Sequence, residues 1–208
     1  MEEDWGDIFN GLQEIDSEQE IQETETDVGE DTEYFVEQML KKETKITIAG
    51  LNNTVSSRII RHAWLLEARH IAIDNIVRTG GKFAFRKITA YTAVIYVDRF
   101  FSIMQVESER IWIAKLLSTA CLHLAADKWE DFEVYLPEYA EFTNFDTRTI
   151  INMKDFVVKE FGGTKTCVTP IRFIKYFISK FCKDDSRIEY AKIKTVEVIM
   201  STLGGNYY

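Results

Sequence analysis

The chain has 208 residues, of which 46% are apolar, and a formal net charge of −9. This length fits one large or two small domains with an ample core. Residues 1–33 hold 14 Asp and Glu and no Lys or Arg, which leaves 20 acidic and 25 basic residues in the body. The weakly basic body has no dense basic stripe, so we expect no nucleic-acid partner. We also expect neither secretion nor membrane spanning, because there is no signal-peptide pattern and no run of 18 apolar residues.

The first 32 residues are predicted to form an acidic disordered tail. They are mostly Glu, Gln, Thr and Asp, and so few large apolar groups cannot offset the entropy lost on folding. Within the tail, Trp5, Ile8, Phe9 and Leu12 have helical spacing. This cluster could dock on a partner, and the simpler alternative is a fully solvated tail.

The rest of the chain is predicted to be all-α, because no stretch alternates with period two for long enough to propose a sheet. Helix boundaries follow from caps, glycines and prolines. The predicted helices cover about 32–42, 55–79 (ending at Gly80-Gly81), 87–103, 108–128, 147–162 (capped by Asp146 or Thr147, ending near Gly162-Gly163), 169–182 (opened by Thr169-Pro170) and 187–202, with a loop or short helical turn around Pro137.

Two blocks at residues 89–102 and 116–127 predict the centre of a helical bundle. The first is apolar nearly all round, which is typical of a buried helix. It contains Asp98, and a bare carboxylate there would cost several kcal/mol, so Asp98 requires a cation. The second block is rich in Ser, Thr, Ala and Cys, whose small side chains let neighbouring helices approach closely.

Motifs for catalysis, cofactors and metals are missing from the sequence. The three histidines form no H-E-x-x-H motif, and the glycine pairs at 80–81 and 162–163 do not fit a phosphate-binding loop. We therefore expect a protein that is not an enzyme and uses no cofactor or metal. Three cysteines without a C-x-x-C pair indicate a reducing compartment.

Four motifs follow one another in a recognisable order. They read R-x-x-x-I-D, T-A-x-x-Y-x-D-R-F, L-x-x-A-C-L-x-L-A-A and V-T-P-x-x-F. In this order and spacing they resemble the cyclin box, most closely that of plant D-type cyclins, over roughly residues 33–182. The resemblance implies a cyclin-box bundle of about five helices plus an N-terminal helix at 33–163. Residues 164–208 would begin a second cyclin fold that is shortened and incomplete.

The resemblance also implies roles for particular charges. Arg69 and Asp98 would form the structural ion pair at the heart of the box. In cyclins, a lysine and a glutamate on two helices make the main polar contact with the kinase. Here Asp127 stands at the lysine position and Lys154 at the glutamate position, so both signs are reversed. The two could pair with each other, and Lys128 could extend its long stem toward the usual place. The alternative is a pair of solvated surface charges.

A second implied surface is the apolar groove through which cyclins dock substrates. Most large side chains are replaced here, so we expect the groove to be shallow. The corresponding residues are Ala68, Ile71, Ala72 and Asn75.

The function implied is a regulatory subunit that binds a cyclin-dependent protein kinase and controls G1/S-type cell-cycle progression, in the nucleus and cytoplasm. The alternative is a cyclin-fold scaffold or decoy that no longer activates a kinase. Plant D-type cyclins carry an L-x-C-x-E motif for binding a retinoblastoma-related protein. No cysteine precedes Cys121 here, so that motif is missing.

Deleting residues 1–32 is expected to leave the fold intact, because this composition cannot contribute to a core. The helical circular-dichroism signal per folded residue and the cooperativity of unfolding should stay at their full-chain values. Loss of cooperative unfolding would instead mean that the cluster from Trp5 to Leu12 packs on the body as a required part of its folded core.

Overall fold

The computed structural model describes residues 33–50, 63–103, 111–163 and 167–204, so the predicted acidic tail lies outside the described residues. Within these ranges every regular element is a helix, which confirms the predicted all-α class. None of the helices described there is long and apolar enough to cross a membrane. The α-helices are α1 Glu33–Gly50, α2 Ala63–Lys82, α3 Lys87–Ile103, α4 Ile111–Trp129, α5 Leu136–Thr143, α6 Thr147–Glu160, α7 Ile174–Phe181 and α8 Ile188–Ser201.

Helices α3 and α4 form the centre of the bundle. Helix α4 packs against α2, α3 and α6, and every residue from Leu116 to Ala126 is buried. This is possible because Ser118, Thr119, Ala120 and Cys121 are small enough for helices on several sides to come close. The sequence blocks predicted to be central therefore lie in the core.

The start of α3 is joined to the end of α4 by a buried carboxylate. One oxygen of Glu130 accepts hydrogen bonds from Arg86 N at 2.9 Å and from Thr89 Oγ1 at 2.5 Å. The other oxygen lies 3.4 Å from Arg86 Nε, and the negative charge also suits the amino end of a helix. Nearby, the indole of Trp129 donates to Thr92 Oγ1 at 2.9 Å. These contacts hold the last turn of α4 in place.

Helix α2 does not end at the glycine pair as predicted. It runs through Gly80 and Gly81 to Lys82, because the amides of Phe83 and Phe85 still bond to carbonyls of the last turn. After the end of α2, the left-handed backbone conformation is adopted by Ala84, at φ 54°, and not by either glycine. By contrast, α6 starts and ends as predicted, with Asp146 accepting from Thr149 N at 2.9 Å and positive φ at the glycine pair 162–163.

The predicted helix cap at Thr169 is wrong in detail. The Thr169 side chain makes no capping hydrogen bond, and Pro170–Phe173 form a 3-10 turn before α7 begins at Ile174. The hydroxyl is buried without a hydrogen-bond partner. Packing of Ile171 and Ile174 into the core therefore determines this entry more than the cap does.

The C-terminal helices pack back on the rest of the bundle. Val196, Met200 and Leu203 are each at most 4% exposed and belong to the same apolar core as Leu65 and Ala68 of α2. Residues 167–204 therefore extend the first core. The division of the chain at residue 163 remains a prediction.

Candidate functional site

The two charges singled out at the centre of the bundle lie in contact. Arg69 Nε donates to Asp98 Oδ1 at 2.8 Å and Arg69 Nη2 donates to Asp98 Oδ2 at 3.1 Å, the fork geometry of a bidentate pair. Both residues are buried, so the carboxylate has the cation that its position requires. Burial raises the pKa of the Asp98 carboxyl, and the neighbouring Arg69 guanidinium opposes that shift.

A third contact links this ion pair to the C-terminal turn. Arg69 Nη1 donates to the backbone carbonyl of Leu203 at 2.9 Å. The carbonyl belongs to the 3-10 turn Thr202–Gly204, directly after α8. One guanidinium thus joins α2, α3 and the C-terminal segment.

The two residues of reversed sign also meet, across α4 and α6. Lys154 Nζ lies 2.7 Å from Asp127 Oδ2, and it contacts His123 Nδ1 at 2.8 Å. His123 and Asp127 are one helical turn apart on α4, with 3.4 Å between Nδ1 and Oδ1. The three side chains form one polar cluster on the outer end of the α4–α6 contact, which we call the α4–α6 clamp.

His123 is the buried member of the clamp. Burial, reinforced by the positive charge of Lys154 and opposed by Asp127, lowers the pKa of His123 to about 4. The imidazole is therefore neutral near pH 7, and its Nδ1 can accept a hydrogen bond from the ammonium of Lys154. Its ring also packs edge-on against Tyr139, with the ring centroids 5.2 Å apart.

Lys128 lies beside the clamp and borders a cleft. Its ammonium is 4.5 Å from the centroid of the Trp129 ring, a cation–π contact. The cleft, which we call the basic cleft, has a volume of about 460 Å³. It is lined by Met39, Lys42, Asp127, Lys128, Cys167, Val168 and Arg172.

The substrate-docking patch is largely closed. Ala68, Ala72 and Asn75 are each at most 5% exposed, and only Ile71 is half-buried. The Asn75 amide donates to Ser118 Oγ at 2.9 Å, which ties α2 to α4. The predicted shallow groove thus presents little more than one isoleucine to solvent.

Among the residues that the structure describes, no group of three or more His, Cys, Asp or Glu could hold a metal ion. Burial raises the pKa of the Cys167 thiol to about 11, which keeps it protonated and unreactive near neutral pH. Cys182 is half-buried just beyond the end of α7.

The comparison with known families decides the identity of this bundle. Residues 35–163 match the cyclin N-terminal domain family, which is more than half of the chain. The chain belongs to the cyclin family. The bundle from α1 to α6 is therefore a cyclin box, and the resemblance noted in the sequence motifs is confirmed.

Several plant cyclins are similar to this cyclin-family chain. Cyclin-D3-1 of Oryza sativa subsp. japonica is 33% identical over 145 residues, which cover 66% of this chain and 41% of that protein. Cyclin-D2-2 of the same plant is 35% identical over 120 residues, or 54% and 33% of the two chains. Putative cyclin-D6-1 of Arabidopsis thaliana is 36% identical over 121 residues, or 57% and 39%. This chain thus spans less than half the length of these relatives. No solved structure matches it.

Two contacts made by residues of this cyclin box were not anticipated from the sequence. The contact of His123 with Asp127 could have been predicted, since His123 precedes Asp127 by four residues and so lies on the same helix face. The Leu203 carbonyl had none, because a backbone acceptor is present at every residue. The role of Arg69 thus includes a partner that motif analysis does not identify.

Arg69→Ala is expected to destabilise the fold by about 3–5 kcal/mol, because it leaves Asp98 buried without a cation and Leu203 without its donor. Chemical denaturation of wild type and variant measures the difference. Asp74→Ala, at an exposed position of the same helix, is the control and should change stability by less than about 0.5 kcal/mol. Equal stability of Arg69→Ala and wild type would show that Asp98 does not depend on this cation.

The neutral state of His123 should make stability depend on pH. The pKa of His123 is about 4 in the folded chain and 6.5 for an unperturbed histidine, the value expected in the unfolded chain. Between these two pH values the unfolded chain therefore binds more protons than the folded chain. The contribution of His123 is complete above about pH 6.5 and is lost as the pH falls toward 4. Relative to His123→Gln, the wild type should lose about 2–4 kcal/mol over this range. A difference in unfolding free energy between the two proteins that stays constant from pH 7 to pH 4 would contradict this expectation.

Proposed function

We propose that this chain is a regulatory subunit that binds a cyclin-dependent protein kinase and promotes G1/S-type cell-cycle progression, acting in the nucleus and cytoplasm. The family match over residues 35–163 and relatives named as D-type cyclins support this function. A family of regulatory proteins also agrees with a chain that performs no catalysis itself. A scaffold or decoy is less well supported, since the relatives are named as cyclins.

The observation that carries the proposal is the surface around the α4–α6 clamp. Ile151, Lys154 and Val158 are spaced by three and four residues and so share one face of α6. Ile151 is 41% exposed, and Val158 is half-buried against the core. A charged centre flanked by apolar groups is the composition expected of a protein-binding patch. Asp127 and Lys154 of the clamp stand at the two positions that the cyclin resemblance assigns to kinase contact.

The mechanism would be a shift in the kinase's conformational population. A ligand can move such an equilibrium only by binding one state better than the other. A rigid surface does this well, because it does not adapt to the inactive arrangement. Glu130 contributes to this rigidity by joining the start of α3 to the end of α4, close to Asp127 and Lys128. A mobile helix of the kinase would be held in its active position against this surface.

The reversed charges affect the strength of this contact. A kinase surface adapted to the usual polarity would face Asp127 and Lys154 with like charges, which costs affinity. The internal bond between the two side chains, at 2.7 Å, partly neutralises both. We therefore expect binding to a typical plant cyclin-dependent kinase to be weakened but retained.

The direct experiment is a pull-down of plant cyclin-dependent kinases with the full chain, followed by a histone kinase assay of the bound fraction. Binding with increased kinase activity supports the regulatory function. Binding without activity would favour the scaffold or decoy. Absence of binding to every kinase tested would overturn the proposal.

Restoring the usual polarity should strengthen kinase binding. The double change Asp127→Lys with Lys154→Glu keeps an internal pair, so its stability should remain close to wild type. Affinity for the kinase should rise by about five- to a hundred-fold, or about 1–3 kcal/mol. Either single change places like charges together and should lower both stability and affinity. Calorimetric titration of the four proteins completes the thermodynamic cycle.

A matched control is available on α8. Lys194 and Glu197 form an exposed pair at 2.6 Å, and exchanging them keeps the net charge unchanged. This exchange should leave kinase affinity at the wild-type value. A double change at the clamp that binds no better than this control would mean that the α4–α6 clamp is not part of the kinase interface.

A further inference from the structure

The basic cleft combines positive charge with an apolar floor. Lys42 of α1, Lys128 of α4 and Arg172 of the 3-10 turn Pro170–Phe173 line it with cations. Met39 and Cys167 are buried and form the apolar floor of the cleft. With a volume of about 460 Å³, the cleft is large enough for one or two large side chains.

The positive charge of the cleft exceeds its negative charge. The one carboxylate among its lining residues, Asp127, is bonded to Lys154 at 2.7 Å. The guanidinium of Arg172 lies 5.2 Å from the centroid of the Phe35 ring, which keeps it beside α1. The pKa of Lys128 is lowered, chiefly by desolvation and further by the like charges of Arg172 and Lys42. An acidic ligand would relieve this repulsion.

One segment of this chain has the matching chemistry. Residues 1–16 contain six Asp and Glu and no Lys or Arg. Between these acids, Trp5, Ile8, Phe9 and Leu12 recur at helical spacing. Acidic groups with a large aromatic and aliphatic face complement a cleft with cationic walls and an apolar floor.

The chain length allows this segment to reach the cleft. Met39 and Lys42 lie in the first three turns of α1, which begins at Glu33. About 20 residues separate Leu12 from that start, and they span up to ~66 Å when extended and ~25 Å as a flexible coil. A tether of this length gives an effective concentration on the order of millimolar. Even a weak contact would then be well populated.

We propose that residues 1–16 dock in cis in the basic cleft, with their acidic groups on Lys42, Lys128 and Arg172 and their aromatic side chains on the apolar floor. The docked segment covers the end of α4 beside the α4–α6 clamp. If that surface binds a kinase, the docked segment competes with the kinase and is autoinhibitory. This part of the inference rests on the proposed function. Docking itself does not depend on any kinase.

Hydrogen exchange of the full chain, measured by mass spectrometry, tests the docking without a kinase. At low salt, amides in residues 1–16 should exchange about tenfold more slowly in the wild type than in Lys42→Glu/Lys128→Glu. The protection should also disappear in Trp5→Ala/Phe9→Ala and at high salt, since exposed charge pairs are screened. Circular dichroism and melting of each variant establish that the fold is retained.

Two controls separate specific docking from general attraction between charges. Lys115→Glu/Lys159→Glu makes the same change in net charge at exposed positions of α4 and α6 outside the cleft. Ile21→Ala/Val28→Ala removes apolar groups from the same acidic region. Both should keep the slow exchange. Equal exchange in wild type and Lys42→Glu/Lys128→Glu, or equal loss in the lysine control, overturns the proposal.

The autoinhibitory role has its own measurement. Trp5→Ala/Phe9→Ala should increase affinity for a plant cyclin-dependent kinase by about three- to tenfold relative to wild type, with no change for Ile21→Ala/Val28→Ala. If residues 1–16 are protected but kinase affinity does not change, the segment docks and the competition is refuted. If kinase addition protects the cleft while residues 1–16 exchange freely before and after, the cleft belongs to the kinase and the docking proposal fails.

Discussion

The structure depends on one buried arginine. Arg69 uses its guanidinium to bond both oxygens of Asp98 and the carbonyl of Leu203, and so three separate parts of the chain meet at one planar group. A buried ion pair of this kind adds little net stability compared with a well-packed apolar core. Its effect is on arrangement, because any packing that separates the partners leaves a charge in an apolar interior. The positions of α2, α3 and the turn after α8 are therefore coupled.

The central helices of the bundle could be predicted from the sequence, because their amino-acid composition indicates that they are buried. An apolar surface on all sides of α3 and small residues along α4 indicate central helices, and a carboxylate within α3 requires a cation. Periodicity alone does not identify that cation, and the cyclin resemblance was needed to select Arg69. The ends of α6 were predictable because Asp146 and the glycine pair at 162–163 have direct conformational effects.

Other features depend on tertiary contacts that have no local signal. The Thr169 cap has the expected residue type, yet core packing around Ile171 and Ile174 replaces it with a 3-10 turn. Asn75 stands at a position expected to face a groove, and its amide instead bonds to Ser118 inside the α2–α4 contact. The contact between Asp127 and Lys154 was anticipated because their signs are opposite. The spacing of His123 and Asp127 places both on one helix face, but the contact of His123 with Lys154 becomes evident only when α4 and α6 are brought together.

The bond between Arg69 and Leu203 also has a consequence for the order of folding during synthesis. The two residues are 134 positions apart. At ordinary rates of translation, about 5–20 residues per second, the ribosome needs roughly 7–27 s to add that length of chain. During this interval Arg69 can pair with Asp98 while its remaining N–H groups are satisfied by water. The interior around the guanidinium becomes dry only when the turn Thr202–Gly204 arrives, so the cyclin box reaches its final packing only after these residues have been synthesised.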